Sequence, residues 1–273
     1  EQNKENFVEA ILLQEEALEM ERTANRGESI MGDLINLGTT YGYFGNYTKE
    51  IECYYEALKI CDSLGLDRFR PRLIANLAAT NFDLGNLDVS ERFLLESIAL
   101  KGKTGKSATA DDYRNLAVIY RERDEFDAAS EYLETSDSIA AINKDRGQLY
   151  RNRLTEVNLL IGRGRNQAAL DSISRLDEWE GGAPDSMSYY YKLQLRAFGY
   201  YEIGKFHSAE KYVRLHEAYC RSVGGPREML ANYETYANFY QKAGNYEKAL
   251  EYFFLADKLG DSLANYQASQ NAI

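Results

Sequence analysis

Leu37-Gly38-Thr39-Thr40-Tyr41-Gly42-Tyr43-Phe44-Gly45-Asn46-Tyr47 is the stretch on which the fold turns. Its outline, Leu37-Gly38…Tyr41…Gly45-Asn46-Tyr47, returns as Leu77-Ala78…Asn81…Gly85-Asn86-Leu87 and again as Leu116-Ala117…Tyr120…Asp124-Glu125-Phe126. Weaker copies follow at Val157…Leu160…Gly164-Arg165-Asn166, at Ala197…Tyr200…Gly204-Lys205-Phe206 and at Ala237…Tyr240…Gly244-Asn245-Tyr246. The small anchor falls at 38, 78, 117, 157, 197 and 237, in steps of 40, 39, 40, 40 and 40. A fixed period of this size marks a repeat architecture, in which each unit buries its apolar face only by stacking on its neighbours.

Each copy has the same grammar. A first helix carries apolar residues at helical spacing, as in Leu34, Leu37 and Tyr41. A turn follows, with glycine where a left-handed residue is needed at a helix end (Gly45, Gly85, Gly164, Gly204, Gly244). A second helix then runs, as in Ala249-Leu250…Phe253…Ala256. Its small residue (Ser90, Ala129, Ala169, Ala209, Ala249) stands twelve after the small anchor of the first helix, so that two backbones can approach closely. The aromatic after the turn (Tyr47, Phe126, Phe206, Tyr246) is expected to wedge the hairpin.

These residues resemble the tetratricopeptide repeat (TPR). Leu37, Gly38, Tyr41, Gly45, Tyr47, Tyr54 and Ala57 match its pattern in the first full copy, and Asn245, Tyr246, Ala249, Leu250, Phe253 and Ala256 in the sixth. The period of 40 is longer than the usual repeat and close to that of HEAT repeats; the small-residue pair and the Gly-x-aromatic turn favour TPR. Glu50 departs from the pattern at a small position, and Val157 and Arg196 stand oddly at core positions. The resemblance implies an all-α fold, a right-handed superhelix of antiparallel helix pairs, over residues 1–273 as a single array. Residues 1–30 read as the second helix of a partial repeat: Phe7, Ala10, Ile11, Ala17 and Leu18 fall forty residues before Tyr47, Glu50, Ile51, Ala57 and Leu58. Residues 31–260 hold six repeats, with helices of about 15–17 residues and the second helix the longer. In 261–273, after a helix stop at Gly260 and a cap at Asp261, a capping helix or the start of a linker is expected.

Composition narrows the function. The chain carries a formal charge of −11 and a pI of about 4.9, which argues against non-specific nucleic-acid binding. Hydrophobic residues make up 44% and charged residues 27%, as in an ordinary globular chain. No run of about 18 apolar residues is present, so no membrane-inserting helix is expected. The opening Glu1-Gln2-Asn3-Lys4 reads as a processed protein or an excised segment. Cys53 and Cys61 lie about 12 Å apart along one helix, too far for a disulfide, and Cys220 has no sequence partner. The three cysteines read as small buried residues without metal spacing.

Two motifs look like chemistry and are not. Lys101–Ser107 reads KGKTGKS, but only two residues separate Gly102 from Gly105 where a phosphate loop has four, and a helix precedes it instead of a strand. Gly260-Asp261-Ser262-Leu263 matches the opening of a GDSL hydrolase block but lacks a downstream His and a preceding strand. Neither His207 nor His216 belongs to a metal motif, and each reads as a surface or turn residue. No catalytic set, cofactor or metal is expected.

In a TPR superhelix the first helices line a concave groove, where partners lie. The resemblance puts Asn36, Asn76 and Asn115 at one inward position of three successive repeats. Their amides suit the backbone of an extended peptide, or a ladder along the array. Asn158, Arg72, Arg114, Arg121 and Arg151 are further inward candidates, and residues 142–166 carry a local charge of +4. Arginine forks suit carboxylate or phosphate; the other reading is an internally paired face. Tyr191, Leu195, Phe198 and Tyr201 form an apolar stripe, either core or an open patch. Trp179 precedes a long loop (180–185), as a binding anchor or a lid on the core. The pattern does not match the Lys/Asn carboxylate clamp of chaperone-binding TPRs.

The expected function is a protein- or peptide-binding module. The period of 40 and Lys258-Leu259-Gly260-Asp261-Ser262-Leu263 are similar to TPR sensor segments of bacterial membrane-bound regulators. That likeness implies an extracytoplasmic sensor domain of a membrane-anchored protein. The alternatives are a free-standing scaffold and a small-molecule-binding protein or enzyme.

Overall fold

The structure, a computed structural model, describes residues 2–103, 107–179, 182–223 and 226–271, without the side chains of 2–8, 223, 227–228 and 264–271. Parts of three sequence expectations, at 104–106, 180–181 and 272–273, therefore lie outside the described residues, as does the side chain of Phe7. The described residues form thirteen α-helices and no strand. The chain divides into two compact units, residues 1–108 and 109–273.

The first unit holds α1 (Gln2–Thr23), α2 (Gly27–Tyr43), α3 (Tyr47–Ser63), α4 (Arg70–Asp83) and α5 (Leu87–Lys103). The second holds α6 (Ala110–Glu122), α7 (Phe126–Ile142), α8 (Arg146–Gly162), α9 (Asn166–Asp177), α10 (Ser186–Glu202), α11 (Phe206–Val223), α12 (Pro226–Lys242) and α13 (Tyr246–Asn271). The hairpins are α2/α3, α4/α5, α6/α7, α8/α9, α10/α11 and α12/α13, and α1 packs on α2.

The six intra-repeat turns are closed alike. Gly45 sits at φ 74°; its N–H donates to the Gly42 carbonyl (2.8 Å) and the Asn46 N–H donates to that of Tyr41 (2.9 Å). The third copy keeps the turn with Asp124 at φ 59°, one of the few residue types that tolerate the left-handed region. The small pairs are in place: Ala117 with Ala129, Val157 with Ala169, Ala197 with Ala209, and Ala237 with Ala249 are all buried. In the second copy Ser90 meets the same need by donating to the Ala78 carbonyl at 2.8 Å.

Glu50, the departure at a small position, is accommodated by a second departure. It is buried and accepts from the Tyr54 hydroxyl (3.2 Å). It fits because position 42 is glycine: a Cβ there would lie 2.5 Å from the Glu50 carboxylate. Gly42→Ala is therefore expected to destabilise the first unit by about 1–3 kcal/mol, as overpacking does. Adding Glu50→Ala should recover most of that loss. Thermal unfolding followed by circular dichroism tests this, and equal melting of the single and double variants would refute the coupling.

Several expectations need correction. Gly260 does not stop a helix: α13 runs unbroken through it, because intrahelical hydrogen bonds and packing outweigh the modest cost of one glycine. The aromatic after the turn is not a general wedge. Tyr246 is 71% and Phe206 46% exposed, and Phe126 packs against Gly162 on α8, in the next repeat. The second helix is not always the longer, since α9 has 12 residues against 17 in α8. Beyond α9, Trp179 folds back edge-on to Tyr150 (ring centroids 5.7 Å apart), the lid arrangement.

Arg196, odd in sequence, is buried on α10. Its guanidinium donates to the Ile173 carbonyl (3.2 Å) and to Asp177 (2.5 Å), and lies 5.1 Å from the Tyr212 ring centre. A cation at a core position survives because its charge and its donors are met.

Candidate functional site

In the first unit α2 and α4 carry Asn36, Asn76 and Arg72. Asn36 and Arg72 are exposed and Asn76 is half-buried. Among the described residues none of the three side chains has a hydrogen-bond or ion-pair partner, so the two amides form no ladder. Asn36 and Arg72 line one cleft of about 250 Å³, with Glu28, Met31, Gly32, Ile35 and Phe69.

In the second unit the first helices α6, α8 and α10 lie side by side. Arg114, on α6, donates through Nε (3.1 Å) and Nη2 (2.7 Å) to Asp111 and through Nη2 to Asn115 (2.9 Å). Arg121, a helical pair of turns further, donates to Glu122 at 2.9 Å. Its Nε is buried and has no partner among the described residues. Asn158, on α8, is half-buried, with its amide likewise unpartnered among the described residues.

Tyr191 reaches this place from α10. Protein surrounds most of it, and that burial pushes its hydroxyl up to about 12, with the charges of Arg121, Glu122 and Arg114 acting on it in turn. Phe198 is half-buried on the same helix. Arg114, Arg121 and Tyr191 thus come together from α6 and α10, the helices that flank α8.

Other candidates are committed elsewhere. Arg151 is held by Gln148 (3.0 and 3.1 Å) and Asp185 (3.2 Å). Burial works to raise the Asp185 carboxyl, but the Ser188 N–H and Arg151 outweigh it and hold it below the usual range. Leu195 is core, packed with Tyr150, Leu154 and Ile173. Tyr201 rests on Phe239 of the next repeat, ring centroids 4.7 Å apart. Part of the basic stretch is internally paired: Arg153 binds Asp137 and Glu156, and Arg163 binds Asp127.

The sequence reading missed one polar centre. His216 is fully buried, contrary to the expectation of a surface residue. Its Nδ1 is hydrogen-bonded with the Tyr236 hydroxyl, and the Tyr190 ring lies 4.1 Å away. Asn232 donates to the Tyr190 hydroxyl at 2.7 Å and to the Cys220 sulfur at 3.3 Å. Burial drives the imidazole down to about 4. The signal was the repeat register itself: Ala57, Ser97, Ser136, Leu176 and Ala256 hold the same place in the other copies, and all are buried. The three cysteines are buried and free.

The comparisons with known proteins agree with this architecture. A tetratricopeptide repeat model matches residues 34–63. No curated protein sequence matches the chain. Among solved structures, a Rap protein complexed with Competence and Sporulation Factor aligns with a TM-score of 0.71 at 14% identity, over 96% of this chain and 72% of that one. The Rap conjugation gene regulator of the plasmid pLS20, in complex with the Phr* peptide, gives 0.70 at 13%, over 96% and 71%. NprR in complex with its cognate peptide NprX gives 0.64 at 15%, over 96% and 79%. At such identities the likeness is one of fold. No described helix is long and apolar enough to cross a membrane.

Proposed function

We propose that this tetratricopeptide-repeat chain binds an extended peptide or a segment of a partner protein on the face of α6, α8 and α10, as the sensing part of a larger bacterial regulator. The observation that carries the reading is the grouping of Arg114, Arg121 and Tyr191, beside an Asn158 amide that has no partner among the described residues. The Arg114–Asp111 pair is partly exposed and of little stability value, so a ligand carboxylate can replace it. Asn amides pair with a peptide backbone irrespective of its sequence, while the arginines select for acidic groups. Two of the structural relatives, the pLS20 regulator and NprR, were solved with peptides bound, which supports a peptide ligand and a regulatory setting.

A displayed random-peptide library selected on the intact chain supplies the test. Enriched peptides are expected to be acidic. Arg114→Glu with Arg121→Glu is expected to weaken them at least about tenfold, the effect of one charge-assisted hydrogen bond, at unchanged helicity. Equal binding by the double variant would overturn the assignment of this face.

A further inference from the structure

Tyr246, Leu250, Phe253 and Phe254 stand at i, i+4, i+7 and i+8 on α13, along one stripe of the helix, and all four are exposed. Single exposed apolar side chains are ordinary, but four on one stripe mark a surface that meets another molecule.

The repeat gives the shape of what it meets. Phe253 stands forty residues after Val213, which follows Ile173 and Leu133 by the same step. Those three residues are at most 5% exposed. Leu133 clusters with Leu159 of α8, Ile173 with Leu195 of α10, and Val213 with Tyr233 and Tyr236 of α12. At this register the second helices α7, α9 and α11 are each covered by the first helix of the next repeat, the contact on which a stacked array depends. Phe253 is 42% exposed, and no described helix takes that place on α13. The stripe is therefore shaped for one more helix.

Charge gives its chemistry. One turn beyond, each of these copies carries an acid: Asp137, Asp177, Glu217 and Asp257. Asp137 is met by Arg153 of α8, and Asp177 by Lys192 and Arg196 of α10. Glu217 is met by Arg221 on its own helix and by the Tyr252 hydroxyl. Asp257 is exposed and has no partner among the described residues. Glu247, Glu251 and Asp261 are exposed on the same helix, and Lys248 is taken by Glu210. Two copies of α13 laid together would set these carboxylates against one another, so a second copy of the chain does not suit the stripe. A cationic helix does.

We infer that this face of α13 docks an amphipathic helix of a partner protein, with apolar side chains on Tyr246, Leu250, Phe253 and Phe254 and a lysine or arginine opposite Asp257. The partner helix lies on α13 as α8 lies on α7, which is the helix-on-helix mode of recognition. The surface uses other residues than the α6–α8–α10 face and is tested with another probe.

The probe is a labelled peptide with the sequence of α8, residues 146–162, held helical by a staple between positions 147 and 151. Those positions meet Pro184 and Asp185 in the chain, so the staple leaves the side that meets α7 free. Fluorescence anisotropy with the intact chain is the readout. Leu250→Ser with Phe253→Ser is expected to weaken binding at least about tenfold at an unchanged melting temperature, since both side chains are exposed. Arg153→Glu in the peptide should weaken it about fivefold, the upper range for one partly exposed ion pair. Asp257→Arg in the chain should restore the substituted peptide and weaken the parent one. Arg114→Glu with Arg121→Glu should change none of this. No binding at submillimolar chain, equal binding by the double serine variant, or indifference to the charge swap would overturn the surface. A chain that sediments as a dimer and becomes monomeric on the double serine substitution would overturn the partner, making a second copy the occupant. Each of those results leaves the α6–α8–α10 face untouched, and loss of the library peptide in the double arginine variant leaves this surface untouched.

Discussion

Asp177→Asn is expected to destabilise the second unit by about 1–2 kcal/mol, between the scales for an exposed and a buried ion pair. Asp177 accepts from Lys192 (2.9 Å) and from Arg196 (2.5 Å). The two cationic side chains are each only 10% exposed, while Asp177 is 44% exposed. Burial works to raise the Asp177 carboxyl, but the hydrogen bonds from Arg196 and Lys192 prevail and hold it below the usual range. The cost arises on the cationic side: a neutral amide leaves two nearly buried charges without a counter-charge. Arg196→Leu added to Asp177→Asn should restore part of the loss, since it removes one of those charges. The chain has a single tryptophan, Trp179, which packs on Tyr150 in the same unit. Its fluorescence during urea unfolding therefore reports on that unit. A midpoint unchanged by Asp177→Asn would show that solvent already screens the three charges.

The second large effect is expected on acidification. The His216 imidazole is held neutral in the fold, at about 4, by burial. In the unfolded chain it titrates near 6.5. A group whose folded value lies below its unfolded value adds stability that is complete above the unfolded value and lost as the pH falls toward the folded one. The second unit should thus lose stability between about pH 6.5 and pH 4, at no more than about 1.4 kcal/mol per pH unit and about 3 kcal/mol in all from this residue. Carboxylates add their own acid dependence, so the quantity to measure is the difference between the parent chain and His216→Leu. Leucine is the natural probe because Leu176 occupies this position one repeat earlier. The variant should lose less stability than the parent over that window, by about 3 kcal/mol in all. Parallel curves would show that His216 does not carry the effect.

Both predictions rest on polar groups inside a fold that the sequence disclosed through apolar ones. The helix pairs, the left-handed turn at Gly45 and its successors, and the facing small residues were legible because each is local. A turn needs one residue of permissive φ, and a close helix crossing needs two small residues twelve positions apart. Six tries at the same register reveal what one would leave ambiguous. The candidate site was legible only in part. Arg114, Arg121 and Tyr191 were singled out, and the charges of both arginines act on the Tyr191 hydroxyl. Arg151 was singled out with equal reason, yet Gln148 and Asp185 hold it, and Asp185 comes from the turn before α10. The Arg72 cleft was visible only as two separate letters, Asn36 and Arg72.

The sequence by itself determined the repeat, its period, the helix pairing within it and the all-α class, because those depend on spacing within some forty residues. Tertiary structure decided which charges are spent and which remain available. Arg153 is paired by Asp137 on the preceding helix, Arg196 by Asp177, and His216 is enclosed by Tyr190 and Tyr236. It also decided that α13 runs through Gly260, and that Gly42 and Glu50 exchange volume across a hairpin. The physical reason is the same in each case. Burial, counter-charge and free volume are properties of a place in space, and the residues that make such a place come from different helices of the chain.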